Sequence, residues 1–579
     1  MKFLHNHVGY SQADAKLALL QTDASFRGGR FTVYGVGAGV GDRAGIAEPA
    51  LTGELRSRGG VMKWRDWRYW EADFSAVNEP GRYFLSLDDA VPPLVTAPFT
   101  VAANILDGQV VSDLVHYLKS VRCTGIFDIA DSSCPVIDST ERVDVHGGWY
   151  DASGDTSKYL SHLSYANFLN PQQIPQVAWN LIEARARLNE TDVWMDDRLV
   201  DEALHGADFL VRMQNPAGYF YMTVFDRWSK DVDERMICSY ATQEGHRFNT
   251  YQAGYRQGGG STIAALARAS TLPRDGDFAR ARYLAAAEHG FAHLEKHNIE
   301  YVDDGTENMI DDYCALLAAV ELFAVTGNST YADAAHLRSA KLIDRQHAEG
   351  WFWADDAKTR SYVHAAEAGM PYAVLLRYLE VFGAASDAGS QGSQLDAAAL
   401  AVRRGLTHEL DVSAIGDGNP FGYPRQYVLV PGGPDRVQFF MAHKNESGYW
   451  WQGENARLGS LACAARWGSR VFADDAQFSA ALWRYAQAAL DWIFGLNPFD
   501  ACMMAGHGHN NPRYDLDKWN APGGVCNGIT AGEFDEDDID FKQAEETDPT
   551  QSWRWTEQWI PHGAWVLAAI AHKEPPVAR

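Results

Sequence analysis

The pattern of apolar and polar positions changes once along this chain, close to residue 104. Before that point, short apolar runs at residues 16–21, 30–34, 81–87 and 99–102 are separated by Gly, Asp, Ser and Pro. Runs of this length and spacing are typical of the strands of a β-sandwich. We therefore predict a β-sandwich domain over residues 1–104.

Beyond that point the apolar residues recur at helical spacing. Twelve segments carry this period: residues 109–121, 176–188, 197–213, 261–269, 278–297, 311–326, 331–344, 371–382, 395–408, 455–467, 474–494 and 563–571. About a dozen helices after a β-sandwich indicate a helical barrel in which inner and outer helices alternate. The second predicted domain, residues 105–579, is therefore all-α.

Several connections between these helices are longer than helix packing requires. They are rich in Trp, Gly and acidic residues and lie at residues 146–155, 214–226, 243–260, 301–312, 420–455 and 497–559. Long loops in compact domains are usually functional. We expect the functional residues in these loops.

Composition limits the partners and the compartment. The formal net charge of −26 disfavours nucleic acid and anionic membrane surfaces. The first residues lack an apolar signal region, and no apolar run reaches about 18 residues, so we expect a cytoplasmic protein without a membrane span. Seven scattered Cys fit reduced thiols better than a disulfide framework. The sequence leaves open whether the protein is a monomer or a homodimer.

Two segments that combine carboxylates with aromatic residues lie far apart in the sequence. His-Gly-Gly-Trp-Tyr-Asp-Ala-Ser-Gly-Asp contains Asp151 and Asp155, and Trp-Arg-Trp-Thr-Glu-Gln-Trp contains Glu557. Cleaving a glycosidic bond requires one carboxyl group that protonates the leaving oxygen and another that activates water or attacks directly. These residues predict a glycoside hydrolase site. The alternative is that they are surface acids in a chain with 76 acidic residues.

Six short motifs occur in the same order as in one known family. They lie at residues 6–10, 121–125, 147–155, 208–214, 218–221 and 495–498, and Gly-Gly-Trp-Tyr-Asp-Ala-Ser-Gly-Asp at 147–155 is similar to that family's Gly-Gly-Trp-x-Asp-Ala-Gly-Asp. The chain thus resembles the family 9 glycoside hydrolases with an N-terminal immunoglobulin-like domain. The resemblance implies an immunoglobulin-like β-sandwich followed by an (α/α)6 barrel, and hydrolysis of a β-glycosidic bond with inversion.

The chain departs from the family's cellulases at three places. One residue is inserted between Asp151 and Asp155, the acid lies in Trp-Thr-Glu-Gln-Trp instead of after Asn, and Gly-His-Gly-His-Asn-Asn-Pro-Arg at 506–513 replaces a His-His-Arg loop. With the missing signal peptide, these changes resemble the cytoplasmic exo-β-D-glucosaminidases that trim chitosan oligosaccharides. That branch would release glucosamine from the non-reducing end.

Each of the three carboxyl groups has an expected role. Glu557 is the predicted general acid, and neighbouring Trp residues should exclude water and raise its pKa. Asp155 is the predicted base that polarises the attacking water. Asp151 should help to hold that water, although the inserted residue leaves the order of the two Asp residues open. Two carboxylates this close should titrate as a coupled pair.

The remaining candidates would contact the sugar. Aromatic stacking is predicted for Trp149, Tyr150, Trp450, Trp451, Trp555 and Trp559; pairing with an ammonium for Glu446 or Glu454; and hydrogen bonds to hydroxyls for His507, His509 and Arg513. For residues 443–455 the alternative is a capped helix start with packed aromatics. His507 with His509, or Cys123 and Cys134 with His146, could belong to a metal site. Neither set is complete, so we predict no metal or cofactor.

Three functions remain open from the sequence. The first is an exo-β-glucosaminidase that acts on oligosaccharides. The second is a family 9 endoglucanase or a β-glucosidase that trims cellodextrins. The third is a non-catalytic sugar-binding protein, which the intact Asp151, Asp155 and Glu557 disfavour.

Overall fold

The N-terminal part of the protein is built from strands. The computed structural model describes residues 1–36, 48–61, 63–162, 169–188, 192–241, 244–385, 392–441, 452–514 and 520–573. The strands of the first part are β1 (Lys2–Leu4), β2 (Tyr10–Ser11), β3 (Leu17–Thr22), β4 (Arg30–Gly35), β5 (Glu48–Glu54), β6 (Arg56–Gly59), β7 (Arg68–Asp73), β8 (Gly81–Leu87), β9 (Leu94–Val95) and β10 (Phe99–Ala102). The predicted apolar runs form β3, β4, β8 and β10.

These strands form two sheets with a common apolar core. One sheet has the order β1-β3-β7-β6, and the other has the order β2-β10-β8-β4-β5 with β9 paired to β8. Leu20, Phe31, Leu85 and Val101 belong to one buried cluster that both sheets supply. The last strand ends at β10 and the first helix begins at Gln109, so the proposed domain boundary near residue 104 falls in the connection.

The rest of the chain is mainly helical. Its helices are α1 (Gln109–Ser120), α2 (Gly125–Asp131), α3 (Ile174–Leu188), α4 (Val193–Arg212), α5 (Gly260–Ala269), α6 (Arg280–Tyr301), α7 (Met309–Thr326), α8 (Ser329–Asp344), α9 (Met370–Ala385), α10 (Gly392–Val412), α11 (Asn455–Val471), α12 (Ala476–Ile493), α13 (Trp553–Thr556) and α14 (Ile560–Ala571). The sequence pattern does not predict α2 and α13, because each is too short to show a period. In the described part of the chain, no helix is both long and apolar enough to cross a bilayer.

Six of these helices pack on one another in a closed series. The order of contact is α3, α5, α7, α9, α11, α14 and α3 again, and α14 is buried along its whole length. Helices α4, α6, α8 and α10 each pack against two consecutive members, α12 packs on α11, and α1 packs on α14. A helix that is apolar all round belongs inside such an assembly. The packing is consistent with an (α/α)6 barrel.

The long connections lead into the six inner helices. They carry the short strands β11 (Cys134–Pro135), β12 (Arg142–Val143), β13 (Lys158–Tyr159), β14 (Phe220–Tyr221), β15 (Thr223–Phe225), β16 (Met236–Ala241), β17 (His246–Phe248), β18 (Gln252–Ala253), β19 (Gln426–Val428), β20 (Arg436–Gln438), β21 (Thr530–Ala531) and β22 (Ile539–Asp540). Because an outer helix returns the chain after each inner one, these connections gather at one end of the helical domain. The three predicted catalytic carboxylates lie in the connections before α3 and α14.

Candidate active site

The connection before α3 folds back on itself and holds two carboxylates. The N–H of Asp151 donates to the carbonyl of Ser157 at 3.0 Å, and Ala152 and Asp155 exchange backbone hydrogen bonds of 3.3 and 3.1 Å. Both Asp side chains are nearly buried, at 4% and 6% exposure. The tight turn therefore holds two buried acids close enough to affect each other's charge.

This turn is joined to the segment that follows α13. The N–H of Ser153 donates to the carbonyl of Gln558 at 2.9 Å, and the N–H of Ile560 donates to the carbonyl of Asp151 at 3.2 Å. The N–H of Gln558 in turn donates to Ser153 Oγ at 3.0 Å. Because α3 and α14 are neighbours, the segments that precede them meet, and Glu557 comes to lie beside the turn.

Glu557 ends the short helix α13, and two donors fix its carboxyl group. Its Oε1 accepts hydrogen bonds from the N–H of Gly154 at 3.0 Å and from the hydroxyl of Tyr514 at 3.2 Å. A Cβ atom at Gly154 would lie 2.3 Å from that oxygen. Only glycine permits the backbone to approach the carboxyl group this closely.

The two Asp carboxylates have different partners. Asp151 Oδ1 accepts a hydrogen bond of 3.0 Å from Trp559 Nε1, and its Oδ2 lies 4.0 Å from His162 Nε2. Asp155 Oδ1 accepts from the N–H of Ser157 at 2.8 Å, and Oδ2 accepts from the Tyr159 hydroxyl at 2.7 Å. Donors to a carboxylate favour its ionised form, so two donors favour the charge on Asp155.

Burial and like charge change the acidity of this pair. Burial, then the charge of Asp155, raise the pKa of Asp151 well above its ordinary value, and Glu557 adds to the effect. Burial and the charge of Asp226 raise the pKa of Asp155 to about 6, while its hydrogen-bond donors lower it. A pair of this kind can keep one proton near neutral pH.

A buried cluster of charged side chains supports the turn that carries Asp151 and Asp155. Asp131 pairs with Lys158 and with Arg235, each at 2.7 Å, and all three side chains are at most 1% exposed. Lys158 also donates to the carbonyls of Val145 and Gly147 at 2.7 and 2.9 Å. The cluster thereby ties both ends of the segment that carries the two Asp residues.

The prediction that Trp149 contacts the sugar is wrong. The ring is fully buried, and its Nε1 donates to Glu202 Oε2 at 3.3 Å. The same ring packs edge-on against His205. Trp149 is therefore a core residue that anchors the motif on α4, and the motif alone could not show which way the ring faces.

Glu454 is also unavailable to a substrate. Its side chain is fully buried and forms an ion pair of 2.6 Å with Arg457, one turn further along α11. It accepts a further hydrogen bond from the N–H of Met441. The predicted pairing with a substrate ammonium is wrong because an internal cation already neutralises this carboxylate.

The other aromatic candidates differ in exposure. Trp555 is 1% exposed and Trp559 6% exposed. Trp555 is therefore a buried structural residue that does not offer its ring for stacking, which corrects its predicted role. Trp559 donates a hydrogen bond to Asp151. Tyr150 is half-buried, and its hydroxyl donates to the carbonyl of Thr124 at 3.1 Å.

The polar loop at 506–513 makes contacts outside the carboxylate cluster. His507 Nε2 lies 2.9 Å from Asp113 Oδ2. Arg513 is exposed, and its N–H donates to Gln543 Oε1 at 2.9 Å. No contact that the described residues make joins these side chains to the three carboxylates. The predicted sites Glu446, Trp450 and Trp451 lie outside the described residues.

His509 takes part in a contact between the two domains. Its ring stacks on that of His7 at 3.5 Å and 16°, and both Nε2 atoms face Asp500 Oδ1, at 3.3 and 2.9 Å. The potential ligand atoms of the three residues lie within 4.8 Å of one another. The two rings stack on each other and share one carboxylate oxygen as their hydrogen-bond partner. We interpret the group as a hydrogen-bonded link between the domains.

Two residues near the carboxylates have no signal in the sequence motifs. Tyr159 and Tyr514 donate to Asp155 and Glu557. Gly154 belongs to the motif at 147–155, but the motif does not indicate its contact with Glu557. Tyr514 lies in an irregular segment without a period or recognisable spacing. Only the three-dimensional structure identifies it.

The comparisons with known proteins identify the family. The chain belongs to glycosyl hydrolase family 9, whose model matches residues 112–524, and a cellulase N-terminal ig-like domain matches residues 3–91. The protein is therefore a glycoside hydrolase, an enzyme that acts on β-glycans. Glu557 lies beyond the matched residues, so its position beside Asp151 and Asp155 is information that the structure adds.

Solved structures share the architecture at low identity. A metagenome-derived glycoside hydrolase family 9 endoglucanase is 18% identical, with a TM-score of 0.65 over 99% of this chain and 98% of that chain. The endoglucanase of the termite Nasutitermes takasagoensis is 14% identical, with a TM-score of 0.51 over 80% of this chain and 97% of that chain. No curated protein matches the chain significantly. At these identities the likeness concerns the fold.

Proposed function

We propose that the protein hydrolyses β-1,4-linked glycans with inversion at the anomeric carbon, using Glu557, Asp155 and Asp151. The observation that carries this proposal is the pairing of the 151–155 turn with the Glu557 segment. This pairing supports the proposal because it brings the segment of the proposed acid next to the turn that carries the Asp pair. Inverting hydrolysis needs an acid and a base with room for a water between them.

The hydrogen bonds suggest where the protons reside. Glu557 is the proposed proton donor, and the N–H of Gly154 and the hydroxyl of Tyr514 hold its Oε1 in position. Asp155 has two donors and Asp151 one, so the charge of the pair settles on Asp155 and the proton on Asp151. Asp155 then acts as the base towards a water that Asp151 helps to orient.

For the substrate, we favour β-1,4-glucan. Both reported structural neighbours are endoglucanases by title, which supports glucan cleavage as the first candidate. The second candidate is exo-β-D-glucosaminidase activity, supported by the inserted residue at 151–155 and by the sequence around Glu557. The burial of Glu454 against Arg457 removes one partner that this second candidate invoked.

The architecture is part of the same proposal. We place the helices in an (α/α)6 barrel over residues 105–579, behind an immunoglobulin-like β-sandwich over residues 1–104. The site then lies at the end where the inner helices begin. We propose Tyr150, Trp559, His507 and Arg513 as substrate neighbours at that end.

One experiment addresses both reaction and substrate. Cellotetraose, fully deacetylated chitotetraose and N-acetylated chitotetraose are incubated with the enzyme, and products are separated while proton NMR records the first anomer formed. We expect the α-anomer first, and cleavage of cellotetraose. An initial β-anomer would contradict inversion. Release of glucosamine without cleavage of cellotetraose would replace the first substrate candidate by the second.

A further inference from the structure

Asp226 is a buried carboxylate that directly follows strand β15 and contacts the catalytic turn. Its Oδ2 accepts a hydrogen bond of 2.6 Å from the Thr156 hydroxyl, and its Oδ1 accepts one of 3.0 Å from the Ser157 hydroxyl. The proposed reaction gives Asp226 no role. Because Thr156 and Ser157 directly follow Asp155, this carboxylate helps to hold the segment of the proposed base.

Ser157 connects Asp226 to the carboxyl group of Asp155. The N–H of Ser157 donates to Asp155 Oδ1 at 2.8 Å, while its hydroxyl donates to Asp226 Oδ1. In return, the N–H of Asp226 donates to Ser157 Oγ at 3.4 Å. A displacement of Asp226 would therefore move a donor that orients Asp155.

The negative charge of Asp226 is only partly offset by the nearby cations. Arg235 directs its Nε and Nη2 atoms to Asp131, both at 2.7 Å, and its Nη1 reaches Asp226 only at 3.5 Å. Lys158 also pairs with Asp131. The two cations thus serve Asp131 first, and Asp226 keeps a net effect on Asp155.

The acidity of Asp155 agrees with this arrangement. Burial and then the charge of Asp226 raise the pKa of Asp155 to about 6. Of the charged groups that act on Asp155, Asp226 has the largest effect. The titratable groups that contact or act on Asp151 and Asp155 also include Tyr117, Tyr159, His162 and Glu557. All of these remain in place in the variants described below.

The loop that begins at Asp226 has a strained backbone. Arg227, Trp228 and Lys230 adopt left-handed φ angles of 60°, 58° and 57°. Residues other than glycine rarely adopt this conformation, and it persists where the surroundings impose it, often at functional sites. Asp226 supplies one such restraint, because its Oδ1 accepts a hydrogen bond of 2.9 Å from the N–H of Trp228. The carboxylate therefore joins this loop to the catalytic turn.

We propose that Asp226 is a positioning residue for the proposed base, Asp155. It holds the 155–157 segment through the hydroxyls of Thr156 and Ser157, and its charge opposes a second negative charge on Asp155. The base therefore accepts a proton more readily than an isolated Asp would. This inference rests on the proposed function, in which Asp155 activates the attacking water.

The first test measures kcat/KM on cellotetraose as a function of pH. Asp226→Asn removes the charge with little change in shape, so the ionised form of Asp155 becomes more favourable. We expect the fall at low pH to move down from about 6 by about one pH unit, the scale of shift that a neighbouring charge causes. The control Asp233→Asn replaces an exposed acid of the same loop and should leave the profile unchanged.

Thr156→Val separates position from charge. It removes the hydroxyl that bonds to Asp226 and leaves the carboxylate. We expect kcat to fall roughly tenfold, as for a small misplacement of a catalytic group, while the fall at low pH stays in place. A profile that does not move in Asp226→Asn, or that moves to higher pH, would overturn the inference. An unchanged kcat in Thr156→Val would do the same, and this variant decides if Asp226→Asn does not fold.

A titration without turnover distinguishes this inference from the proposed reaction. The infrared carboxyl band that disappears in Asp155→Asn reports the protonation of Asp155. A lower midpoint of this band in Asp226→Asn, with no glycan cleaved by the wild type, would uphold the coupling of the two residues and reject the proposed hydrolysis. An unchanged midpoint, in an enzyme that cleaves cellotetraose, would reject the role of Asp226 alone.

Discussion

The backbone N–H of Gly154 donates a hydrogen bond of 3.0 Å to Oε1 of Glu557, across 403 residues of sequence. This contact makes the Asp151–Asp155 turn and the proposed acid one unit. The turn cannot shift without moving the carboxyl group, and the carboxyl group cannot rotate without losing a donor. The residue inserted relative to the family motif therefore has a definite place, because Ser153 and Gly154 both contact the Glu557 segment.

Replacing Glu557 by Gln should abolish general acid catalysis and leave the fold intact. Loss of such proton transfer typically lowers the rate by roughly 10²–10⁴-fold. The measurement is kcat on cellotetraose, together with circular dichroism and Tm. The control is Glu545→Gln, an exposed acid of the same long connection. Near wild-type activity of Glu557→Gln on an unactivated substrate would remove Glu557 from this role.

Adding a methyl group at Gly154 should displace the acid. The new Cβ would lie 2.3 Å from Glu557 Oε1 and 2.4 Å from the Tyr514 hydroxyl, so one of these groups must move. We expect Gly154→Ala to lower kcat by roughly 100-fold, since small misplacements of catalytic groups cost this much. Gly416→Ala, where a Cβ meets no atom of the described residues within 4 Å, should leave kcat unchanged. If both variants behave alike, the contact has no catalytic importance.

The helices could be predicted from the sequence because their cause is local. Apolar periodicity marks α3, α7 and α14 almost to their ends, since each helix must bury the same face over several turns. The pairing of Asp151 with Glu557 could also be anticipated, because a glycosidase needs two carboxyl groups and aromatic residues surround both. Helix α13 could not, since four residues are too few to show a period.

The errors at the site have a common physical cause. A side chain's neighbours decide its role, and those neighbours lie far away in sequence. Trp149 lies in the catalytic motif, but its Nε1 donates to Glu202. Glu454 could pair with a substrate ammonium as far as the sequence shows, but in the structure it pairs with Arg457. Likewise His509 stacks on His7, whose position in the other domain no local spacing could indicate.

Trp559 and Trp555 form a matched pair for testing the orientation of Asp151. Trp559→Phe removes the N–H that donates to Asp151 Oδ1 at 3.0 Å, and we expect kcat to fall roughly 2–10-fold, as for a lost hydrogen bond to a neutral group. Trp555→Phe should leave kcat unaltered, since the buried Nε1 of Trp555 has no hydrogen-bond partner among the described residues. Steady-state kinetics on the two variants decides. A larger effect of Trp555→Phe would contradict this assignment.

The pH dependence should report on Asp155. Burial and Asp226 raise its pKa to about 6, and the base must be ionised, so kcat/KM should fall as the pH is lowered through about 6. Tyr159→Phe removes a donor that favours the ionised form. The acid limb of the kcat/KM profile, which is its fall at low pH, should therefore move to higher pH in Tyr159→Phe. Tyr150→Phe, whose hydroxyl bonds to Thr124, should leave the limb in place. An unshifted limb in Tyr159→Phe would show that another group controls it.

Asp131 should be essential to stability although it lies outside the catalytic group. Asp131→Ala leaves Lys158 and Arg235 buried without their carboxylate, and breaking a buried ion pair in this way costs about 3–5 kcal/mol. Asp275→Ala breaks an exposed pair with Arg280 and should lower the free energy of unfolding far less. Denaturant unfolding of both variants measures the difference. Since Lys158 holds the carbonyls of Val145 and Gly147, any Asp131→Ala protein that folds should also lose activity. Equal stability of the two variants would mean that the cluster does not hold the catalytic turn.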